Sequence, residues 1–291
     1  MNSQANFFRG GISVTPTNPI YNDATCIYSF RKFFNWSNAV IRIKRTADGQ
    51  LRYVWFDGNT ITLNSKISET ETPTTTTLGD FIGSGDGSIN IWYGQNPIGF
   101  NTAYNLGSQL NPLFIVGGVI LTKNGLPCVN FNGVNQTFDA TAFTELGSEQ
   151  NFTVLSVANT TNTEHLGIVW NTSDVSSSRL AQYIDARSTA SQFLVVGGTV
   201  INNLTNIVST NQRLQTITVN TKLIKGYSDN VLQNSYTFTG TYTNDTFRIG
   251  AQFQRLTDLI GNIQEIVIFP SDKTTDLTDL HADINTYYSI Y

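Results

Sequence analysis

The sequence predicts an all-β protein, a two-sheet antiparallel sandwich that ends in one short helix. Three observations lead to this prediction. Short runs rich in Val, Ile, Phe, Tyr and Thr recur along most of the 291 residues, and these residue types favour strands. Helical periodicity is confined to two short segments. Turn-forming pairs separate the runs, and they include Asp48-Gly49, Asp57-Gly58, Asn124-Gly125 and Asn132-Gly133. Many short strands with few helices are typical of sandwiches.

The predicted strands follow one another at short intervals, and no repeat of fixed period is present. In chain order they are Val40–Lys44, Leu51–Phe56, Ile89–Tyr93, Leu113–Leu121, Phe152–Ala158, Leu166–Trp170, Gln192–Val200, Leu214–Val219, Tyr236–Thr239, Phe247–Gly250 and Ile263–Phe269. The run Leu214–Val219 alternates between two faces, as a half-buried strand does. A short helix is predicted near Leu78–Ile82, after a Thr-rich surface loop over Glu69–Thr77.

The last segment of the chain predicts a buried strand, a sharp stop and a helix. Ile263–Phe269 is a β-branched and aromatic run that suits a strand covered on both faces. Pro270 ends this strand because proline has no N–H to donate to a neighbour. Apolar residues then recur at helical spacing, at Leu277, Leu280, Ile284 and Tyr287 or Tyr288. The candidate N-caps are Ser271, Thr274 and Thr275, and Asp276 and Asp279 lie near the positive end of the helix dipole.

The chain is predicted to have an arm and one main domain. Residues 1–25 are polar and turn-rich, and they predict an N-terminal arm that docks the protein to a partner. Residues 26–291 form the predicted sandwich. Within it, 26–105 are either a small β subdomain or the first strands of the same sandwich.

Composition argues against several classes of partner. Only 13% of the residues are charged and the net charge is −4, whereas about 25% is usual. The densest basic group, Arg42, Lys44 and Arg45, alternates with apolar residues, which indicates one face of a strand rather than a phosphate-binding stripe. No apolar run has membrane-spanning length, and no secretion signal is visible at the N-terminus. The sequence predicts no nucleic-acid partner and no membrane insertion.

No cofactor is predicted, and calcium is the alternative. His165 and His281 are not spaced as zinc ligands. Carboxylates in turn contexts suit either calcium ligation or turn formation, and they are Asp23, Asp57, Asp86, Asp174 and Asp258. Cys26 and Cys128 are either two buried thiols or a single bridge.

Three blocks of sequence together resemble one family. They are Tyr28–Gly58 with Phe81–Gln95, then Pro112–Phe138, then Gly261–Tyr291. These blocks resemble the concanavalin-like, laminin-G-like jelly roll of arabinofuranosidase B-type catalytic domains. They are similar above all to relatives of that domain in virion proteins of tailed bacteriophages. The resemblance covers most of 28–291 and implies a jelly-roll sandwich.

The catalytic residues of that family are not found where the resemblance would place them. The family's enzymes are retaining, and their two carboxyl groups stand about 5–5.5 Å apart. The match to the nucleophile segment, Tyr183–Ser188, places Arg187 at the glutamate. The match to the acid/base segment, Ile249–Gln254, contains no carboxylate. Asp185 and Asp258 are the alternative pair if the matching is shifted by a residue or two. The sequence therefore predicts a protein that is not an enzyme.

The resemblance implies a non-enzymatic virion structural protein, assembled in the host cytoplasm and displayed on the particle as a capsid decoration, head fibre or tail component. Its implied partners are other virion proteins and further copies of the chain. Attachment to host-surface glycans is an additional role, for which Trp36 in the polar loop Asn35–Asn38 is the candidate exposed ring. The alternatives are a glycoside hydrolase of the arabinofuranosidase type and a free carbohydrate-binding lectin.

Overall fold

The computed structural model describes residues 18–96, 102–104, 110–163, 167–173, 178–184, 192–196, 199–202, 210–251 and 258–291, with 192–196 and 199–202 described by their backbone. The described chain forms two antiparallel sheets packed face to face, with one helix at the C-terminus. The sandwich predicted from the sequence is therefore confirmed.

The described strands are short; each predicted run overlaps at least one of them, and several further strands were not predicted. In chain order they are β1 (Cys26–Ser29), β2 (Ile41–Arg45), β3 (Leu51–Val54), β4 (Ile67–Ser68), β5 (Gly87–Tyr93), β6 (Thr102–Tyr104), β7 (Leu113–Val116), β8 (Val119–Ile120), β9 (Thr122–Lys123), β10 (Leu126–Pro127) and β11 (Val129–Asn132). They continue as β12 (Phe138–Thr141), β13 (Phe152–Thr160), β14 (Gly167–Asn171), β15 (Leu180–Ile184), β16 (Gln192–Val196), β17 (Thr199–Asn202), β18 (Arg213–Asn220), β19 (Leu223–Ser228), β20 (Val231–Thr237), β21 (Thr246–Ile249) and β22 (Ile260–Phe269). The helices are α1 (Leu78–Ile82) and α2 (Leu277–Tyr288).

Strand pairing defines a front and a back sheet. The front sheet runs β4-β3-β2-β5-β6-β12-β21-β14-β15-β16-β17. The back sheet runs β8-β7-β11-β22-β13-β18-β19-β20, with β1 paired to β22 beside β11. A short pairing between β5 and β7 joins the two sheets at one edge. Each ladder between these strands is antiparallel, and β9 and β10 form a separate hairpin.

Two apolar clusters hold the layers together. The larger lies between the sheets and includes Trp92 and Trp170, both 0% exposed. The smaller lies between the back sheet and α2. Strand β22 contributes side chains to both clusters: Ile268 belongs to the larger cluster and Val267 to the smaller one. Side chains alternate between the faces of a strand, so an apolar run is covered on both sides, as the sequence predicts for β22.

The C-terminal helix is confirmed over Leu277–Tyr288, but it begins after the predicted N-caps. Asp276 is the N-cap residue and makes no side-chain capping bond, so the predicted caps at 271, 274 and 275 all precede the helix start. At the other end, the Asn124 amide donates to the carbonyl oxygens of Tyr288 and Ser289 at 3.1 and 3.0 Å. These bonds satisfy carbonyls that a helix end leaves without partners. No helix in the described ranges is long and apolar enough to cross a membrane.

The predicted short helix is confirmed as α1. Thr77 caps it, since its hydroxyl accepts the Asp80 N–H at 3.1 Å and the Asp80 carboxylate accepts the Thr77 N–H at 3.2 Å. This reciprocal pair is the capping box, which stabilises the first turn of a helix. The predicted turn at Asn124-Gly125 is confirmed too, with φ values of 50° and 77° between β9 and β10.

The proposed division of the chain stays a prediction. Residues 1–17 lie outside the described residues. The described end of the predicted arm, 18–25, contains Tyr21 and Ala24, both buried in the cluster under α2. Strands of the segment 26–105 pair into both sheets, β1 with β22 and β5 with β6 and β7.

Both cysteines are free, buried thiols. Burial raises the pKa of the Cys128 thiol to about 12 and raises that of Cys26 further. Thiols with such pKa values stay protonated at neutral pH and have little reactivity.

His281 on α2 makes the protein less stable in acid. It is 1% exposed; its Nε2 lies 2.8 Å from the Thr216 hydroxyl and its Nδ1 lies 2.9 Å from the Asn230 side-chain oxygen. Burial lowers its pKa from 6.5 to about 4. Between these values the unfolded chain binds a proton that the folded chain does not.

We therefore expect the contribution of His281 to stability to be complete above about pH 6.5 and to fall by about 3 kcal/mol as the pH approaches 4. The measurement is urea unfolding at a series of pH values for the wild type and His281→Gln, because carboxylates titrate in both and cancel in the difference. A difference between the two proteins that does not change from pH 7 to pH 4 would contradict the prediction.

Candidate functional site

A row of side chains crosses the outer face of the front sheet, and the strand register defines it. Tyr104 lies opposite Ile91 on one side and Asp139 on the other. Arg248 lies opposite Asp139 and Asn171, and Asn171 lies opposite Ala181. Residues directly opposite one another point to the same face. The front row is Ile91, Tyr104, Asp139, Arg248, Asn171 and Ala181.

The neighbours of the front row show that it lies on the face of the front sheet that is turned away from the cluster between the sheets, where Asp139, Arg248 and Asn171 are nonetheless buried. Phe138, Ala140, Phe247 and Ile249 flank Asp139 and Arg248 along their strands, and all four belong to the cluster between the sheets. Because side chains alternate along a strand, Asp139 and Arg248 occupy the opposite face. A small separate cluster of Ile168, Ala181 and Tyr183 lies on that face as well.

A charge pair forms the centre of the front row. Arg248 donates from Nε to Oδ1 of Asp139 at 2.5 Å and from Nη2 to Oδ2 at 3.3 Å. The side chains are 8% and 6% exposed. Two parallel N–H···O bonds fix the orientation of both groups. Because both charges are buried, removing either one leaves the other without its partner and costs a large amount of folding free energy.

Two polar side chains beside this pair keep unused hydrogen-bonding atoms. The Asn171 amide donates to the Ala251 carbonyl at 2.7 Å, but its Oδ1 accepts no hydrogen bond from the residues that the structure describes. Arg179 donates from Nη2 to the Tyr183 hydroxyl, while its Nε and Nη1 donate to nothing among the described residues. Buried polar atoms are nearly always paired in folded proteins, with ordered water among the usual partners.

Tyrosines gather at the other end of the front row. Tyr104 is 38% exposed. The rings of Tyr53 and Tyr93 are stacked with centroids 6.3 Å apart, and Trp55 lies 6.4 Å from Tyr53. Burial, with a smaller contribution from Tyr53, raises the pKa of the Tyr93 hydroxyl well above its usual value. The hydroxyl is therefore neutral at physiological pH and can donate a hydrogen bond.

The arrangement suits a sugar. Aromatic faces pack against apolar C–H surfaces while the tyrosine hydroxyls remain polar. The amide, guanidinium and carboxylate groups supply both donors and acceptors for hydroxyl groups. A few polar groups placed among aromatic ones are usual in small-molecule sites.

The sequence-predicted site residue lies elsewhere. Trp36 is 4% exposed and belongs to the cluster between the sheets, and its indole N–H donates to the Ala39 carbonyl at 3.2 Å. The expectation of an exposed ring is wrong, because the polar residues around Trp36 in the sequence lie on a loop that folds the indole inward. Carbohydrate binding through Trp36 stays a prediction.

The segments matched to the family's catalytic residues are described only in part. Asp185, Arg187, Gln252 and Phe253 lie outside the described residues. Asp258 is described, and its Oδ2 accepts the Asn135 N–H at 3.2 Å. Asp139 is the one carboxylate of the front row.

No group of three or more His, Cys, Asp and Glu side chains in the described ranges could hold a metal ion. The described turn carboxylates have other partners. Asp23 pairs with Lys273, Asp57 accepts the Thr62 hydroxyl and Asp86 accepts the Gly117 N–H. Asp174 lies outside the described residues.

The polar residues of the front row were not among the site residues predicted from the sequence. Asp139 and Arg248 stand in the runs Phe138–Thr141 and Thr246–Ile249, among residues typical of strands. A charged residue inside a buried strand is rare unless it is paired. The charge of each residue within its apolar run was therefore the sequence signal that could have identified this pair. Asn171 directly follows the predicted run Leu166–Trp170, and Arg179 directly precedes β15.

The fold and the front row define a β-sandwich with a polar and aromatic face. No family model matches the sequence, and no curated protein matches it. Among solved structures, the chain is similar to a GH54 α-L-arabinofuranosidase soaked with 4-nitrophenyl α-L-arabinofuranoside, with a TM-score of 0.63 and 12% identity, over 92% of this chain and 63% of that one. It is also similar to an arabinofuranosidase complexed with arabinofuranosyl-α-1,2-xylobiose, with a TM-score of 0.61 and 13% identity, over 90% of this chain and 63% of that one.

These likenesses establish a shared fold and correct one prediction. The chain corresponds to 63% of the length of each of the two proteins. The missing catalytic carboxylates predicted a protein that is not an enzyme. That prediction is contradicted, because two proteins that share the fold over nine-tenths of this chain are arabinofuranosidases, which are glycoside hydrolases. The resemblance of the fold to the β-sandwich of arabinofuranosidases is confirmed. The virion setting, the virion partners and the oligomeric state stay predictions, since nothing in the comparisons concerns a phage.

Proposed function

We propose that the protein is a carbohydrate-active enzyme of the glycoside hydrolase type, which binds arabinose-containing glycans along the front row. The observation that carries the proposal is the line of aromatic, carboxylate, guanidinium and amide groups on one face of the front sheet. The fold shared with two arabinofuranosidases supports the choice of arabinofuranosides as the first substrates to test.

The two ends of the front row offer different groups to a sugar. Tyr104 and the tyrosines near it form an apolar platform for the C–H face of a sugar ring. Asp139 and Arg248 are held rigidly by their two hydrogen bonds, so they present fixed atoms to sugar hydroxyls. Asn171 offers a carbonyl oxygen that has no partner within the described chain. A ligand that supplies one hydroxyl to it would complete its hydrogen bonding.

Asp139 is assigned to sugar binding rather than to bond cleavage. Retaining hydrolysis needs two carboxyl groups about 5–5.5 Å apart. Both oxygens of Asp139 already accept hydrogen bonds from Arg248, which leaves this carboxylate suited to orienting a substrate. Asp139 and Arg248 therefore hold the glycan in place for the reaction.

The test combines hydrolysis with binding. We expect the wild type to release nitrophenolate from 4-nitrophenyl α-L-arabinofuranoside and to bind arabinofuranosyl-xylobiose in calorimetry. Asp139→Asn should weaken binding by about 10- to 150-fold, since a hydrogen bond to a charged group contributes about 1.5–3 kcal/mol. Tyr104→Ala should weaken it by about 2- to 10-fold, the loss of one ring contact.

Matched controls separate binding from folding. Asp229→Asn breaks a similar carboxylate–arginine pair, with Arg213 on the back sheet. Tyr291→Ala removes a tyrosine that is 50% exposed at the C-terminus. Neither should change affinity. Glycan binding unaffected by both front-row variants would place the site elsewhere. No hydrolysis and no binding of either compound at millimolar concentration would refute the proposal.

A further inference from the structure

The strand register extends the front row beyond Ile91 onto a part of the sheet that solvent reaches. Ile91 lies opposite Arg42 on β2, and Arg42 lies opposite Tyr53 on β3. These side chains are half-buried, as is that of Tyr93 on β5, and Tyr104 is 38% exposed. The remainder of the front row, on the far side of Tyr104, is buried. We call the accessible set the tyrosine platform, and it consists of Tyr53, Arg42, Ile91, Tyr93 and Tyr104.

Alternation along the strands places the tyrosine platform on the outer face of the sheet. The residues that flank the platform residues in the chain belong to the cluster between the sheets, and they include Ile41, Ile43, Val54, Trp92 and Ala103. Because successive side chains point to opposite faces of a strand, the platform residues point away from that cluster. A ligand can therefore reach them from the surface of the sheet without entering the core.

The tyrosine platform combines aromatic rings with fixed polar groups. The ring planes of Tyr53 and Tyr93 lie 27° apart, with centroids separated by 6.3 Å. Arg42 donates from Nε and Nη2 to the side-chain oxygen of Asn90 at 3.0 and 2.6 Å, and its guanidinium lies 5.9 Å from the centre of the Tyr53 ring. These contacts hold the guanidinium beside the aromatic surface. The result is a face that is apolar over the rings and polar between them.

The tyrosine platform is longer than one sugar ring. Tyr53 and Tyr104 are separated by three inter-strand spacings, which amounts to about 14 Å. The line that joins them runs across the strands and continues to Asp139, which lies opposite Tyr104 on β12. A chain of sugars laid along this line would therefore cover the platform and reach the charge pair of the front row.

We propose that the tyrosine platform binds the backbone of a neutral polysaccharide, with several consecutive sugar units laid across the strands. The inference rests on the proposed function, because it places the backbone beside the glycan contacts assigned to Asp139 and Arg248. It adds the substrate class: a polymer rather than a short oligosaccharide. The C–H faces of the sugars pack against the tyrosine rings, while Arg42 and the tyrosine hydroxyls donate hydrogen bonds to sugar oxygens.

The test measures how affinity depends on the length of the backbone. Calorimetry compares xylobiose with xylohexaose and cellobiose with cellohexaose, two neutral series that carry no arabinose to be cleaved. We expect the hexasaccharide to bind about tenfold more tightly than the disaccharide, since each further ring contact contributes about 2- to 10-fold. Tyr53→Ala should reduce this ratio by about 2- to 10-fold. Tyr53→Phe keeps the ring and should preserve the ratio, which separates the contact from a loss of folding.

The control variant is Tyr291→Ala, which removes a tyrosine that is 50% exposed at the C-terminus and should leave the ratio unchanged. The inference is wrong if the wild type shows no gain with length in either series, or if Tyr53→Ala keeps the gain. Sedimentation gives a further check: a wild type that self-associates and a Tyr53→Ala variant that does not would identify the platform as an interface between copies of the chain.

Hydrolysis of 4-nitrophenyl α-L-arabinofuranoside by the same preparations separates this inference from the proposed function. Hydrolysis without a gain in affinity with length would overturn the inference and leave the proposed function standing. A gain that Tyr53→Ala removes, without hydrolysis, would keep the backbone site and overturn the assignment as a hydrolase. Neither hydrolysis nor binding would overturn both.

Discussion

Replacing Glu265 by alanine is expected to lower the free energy of unfolding by about 3–5 kcal/mol, because it breaks a buried ion pair by removing the buried partner of a buried arginine. Glu265 is 1% exposed on β22. Its Oε2 accepts Nε of Arg31 at 2.9 Å, the Ser29 hydroxyl at 2.8 Å and the Tyr288 hydroxyl at 3.0 Å, and its Oε1 accepts Nη2 of Arg31 at 3.2 Å.

The same carboxylate joins three parts of the protein. Ser29 belongs to β1, Glu265 to β22 and Tyr288 to the last turn of α2. Arg31 also contacts the α2 residue Asp283 at 2.9 Å and lies 4.2 Å from the centre of the Phe33 ring. Loss of Glu265 therefore loosens the contact of α2 with the back sheet and leaves Arg31 to pair with Asp283, whose side chain is 27% exposed.

Chemical denaturation of the wild type, Glu265→Ala and Glu69→Ala measures this effect. Glu69 pairs with Arg52 at 2.6 Å, but its side chain is 74% exposed, and such surface pairs contribute about 0–1 kcal/mol. If Glu265→Ala lowers the free energy of unfolding as little as Glu69→Ala does, the network does not hold α2 in place.

The second large effect is expected for Trp92→Ala, which should cost about 3–5 kcal/mol because truncating a buried tryptophan leaves a cavity. Trp92 is 0% exposed on β5. Its ring stacks on Phe30 with centroids 4.7 Å apart and contacts Tyr28 and Phe138 at 5.8 and 6.1 Å. These neighbours come from both sheets, so the Trp92 ring packs between the two sheets and stabilises their contact.

Tyr104→Ala is the matched control for this prediction. It removes an aromatic ring from β6, the strand that pairs with β5, but that ring is 38% exposed, and surface substitutions usually change stability by less than about 0.5 kcal/mol. Trp92→Phe keeps most of the aromatic volume and should fall between the two. If Trp92→Ala unfolds at the same urea concentration as Tyr104→Ala, the tryptophan is not a core residue in solution.

Much of the fold follows from local sequence patterns. The strand over Ile263–Phe269, the helix over Leu277–Tyr288 and the turn at Asn124-Gly125 are all where the sequence predicts them. Side-chain alternation, helical spacing and turn chemistry act over a few residues, so they can be detected in a single sequence. The strands that were missed, such as β1 and β19, are short or carry polar residues within an apolar run.

The front row could not be predicted in the same way. Tyr104, Asp139, Arg248 and Asn171 become neighbours only through the pairings of β6, β12, β21 and β14. Asp139 and Arg248 are separated by 109 residues in the chain. No local pattern joins them, because the pairing of strands depends on how all of the apolar faces are buried together.

Sequence alone determined that this is an all-β sandwich closed by one helix, because the periodicities of strands, turns and helices are local. The tertiary structure decided which side chains face one another. It buried Trp36, which the sequence suggested was exposed, and it placed Asp139 beside Arg248 and left Arg179 without a carboxylate among the described residues. The physical reason is that burial and charge pairing are properties of neighbours in space, and in this sandwich those neighbours are mostly far apart in the chain.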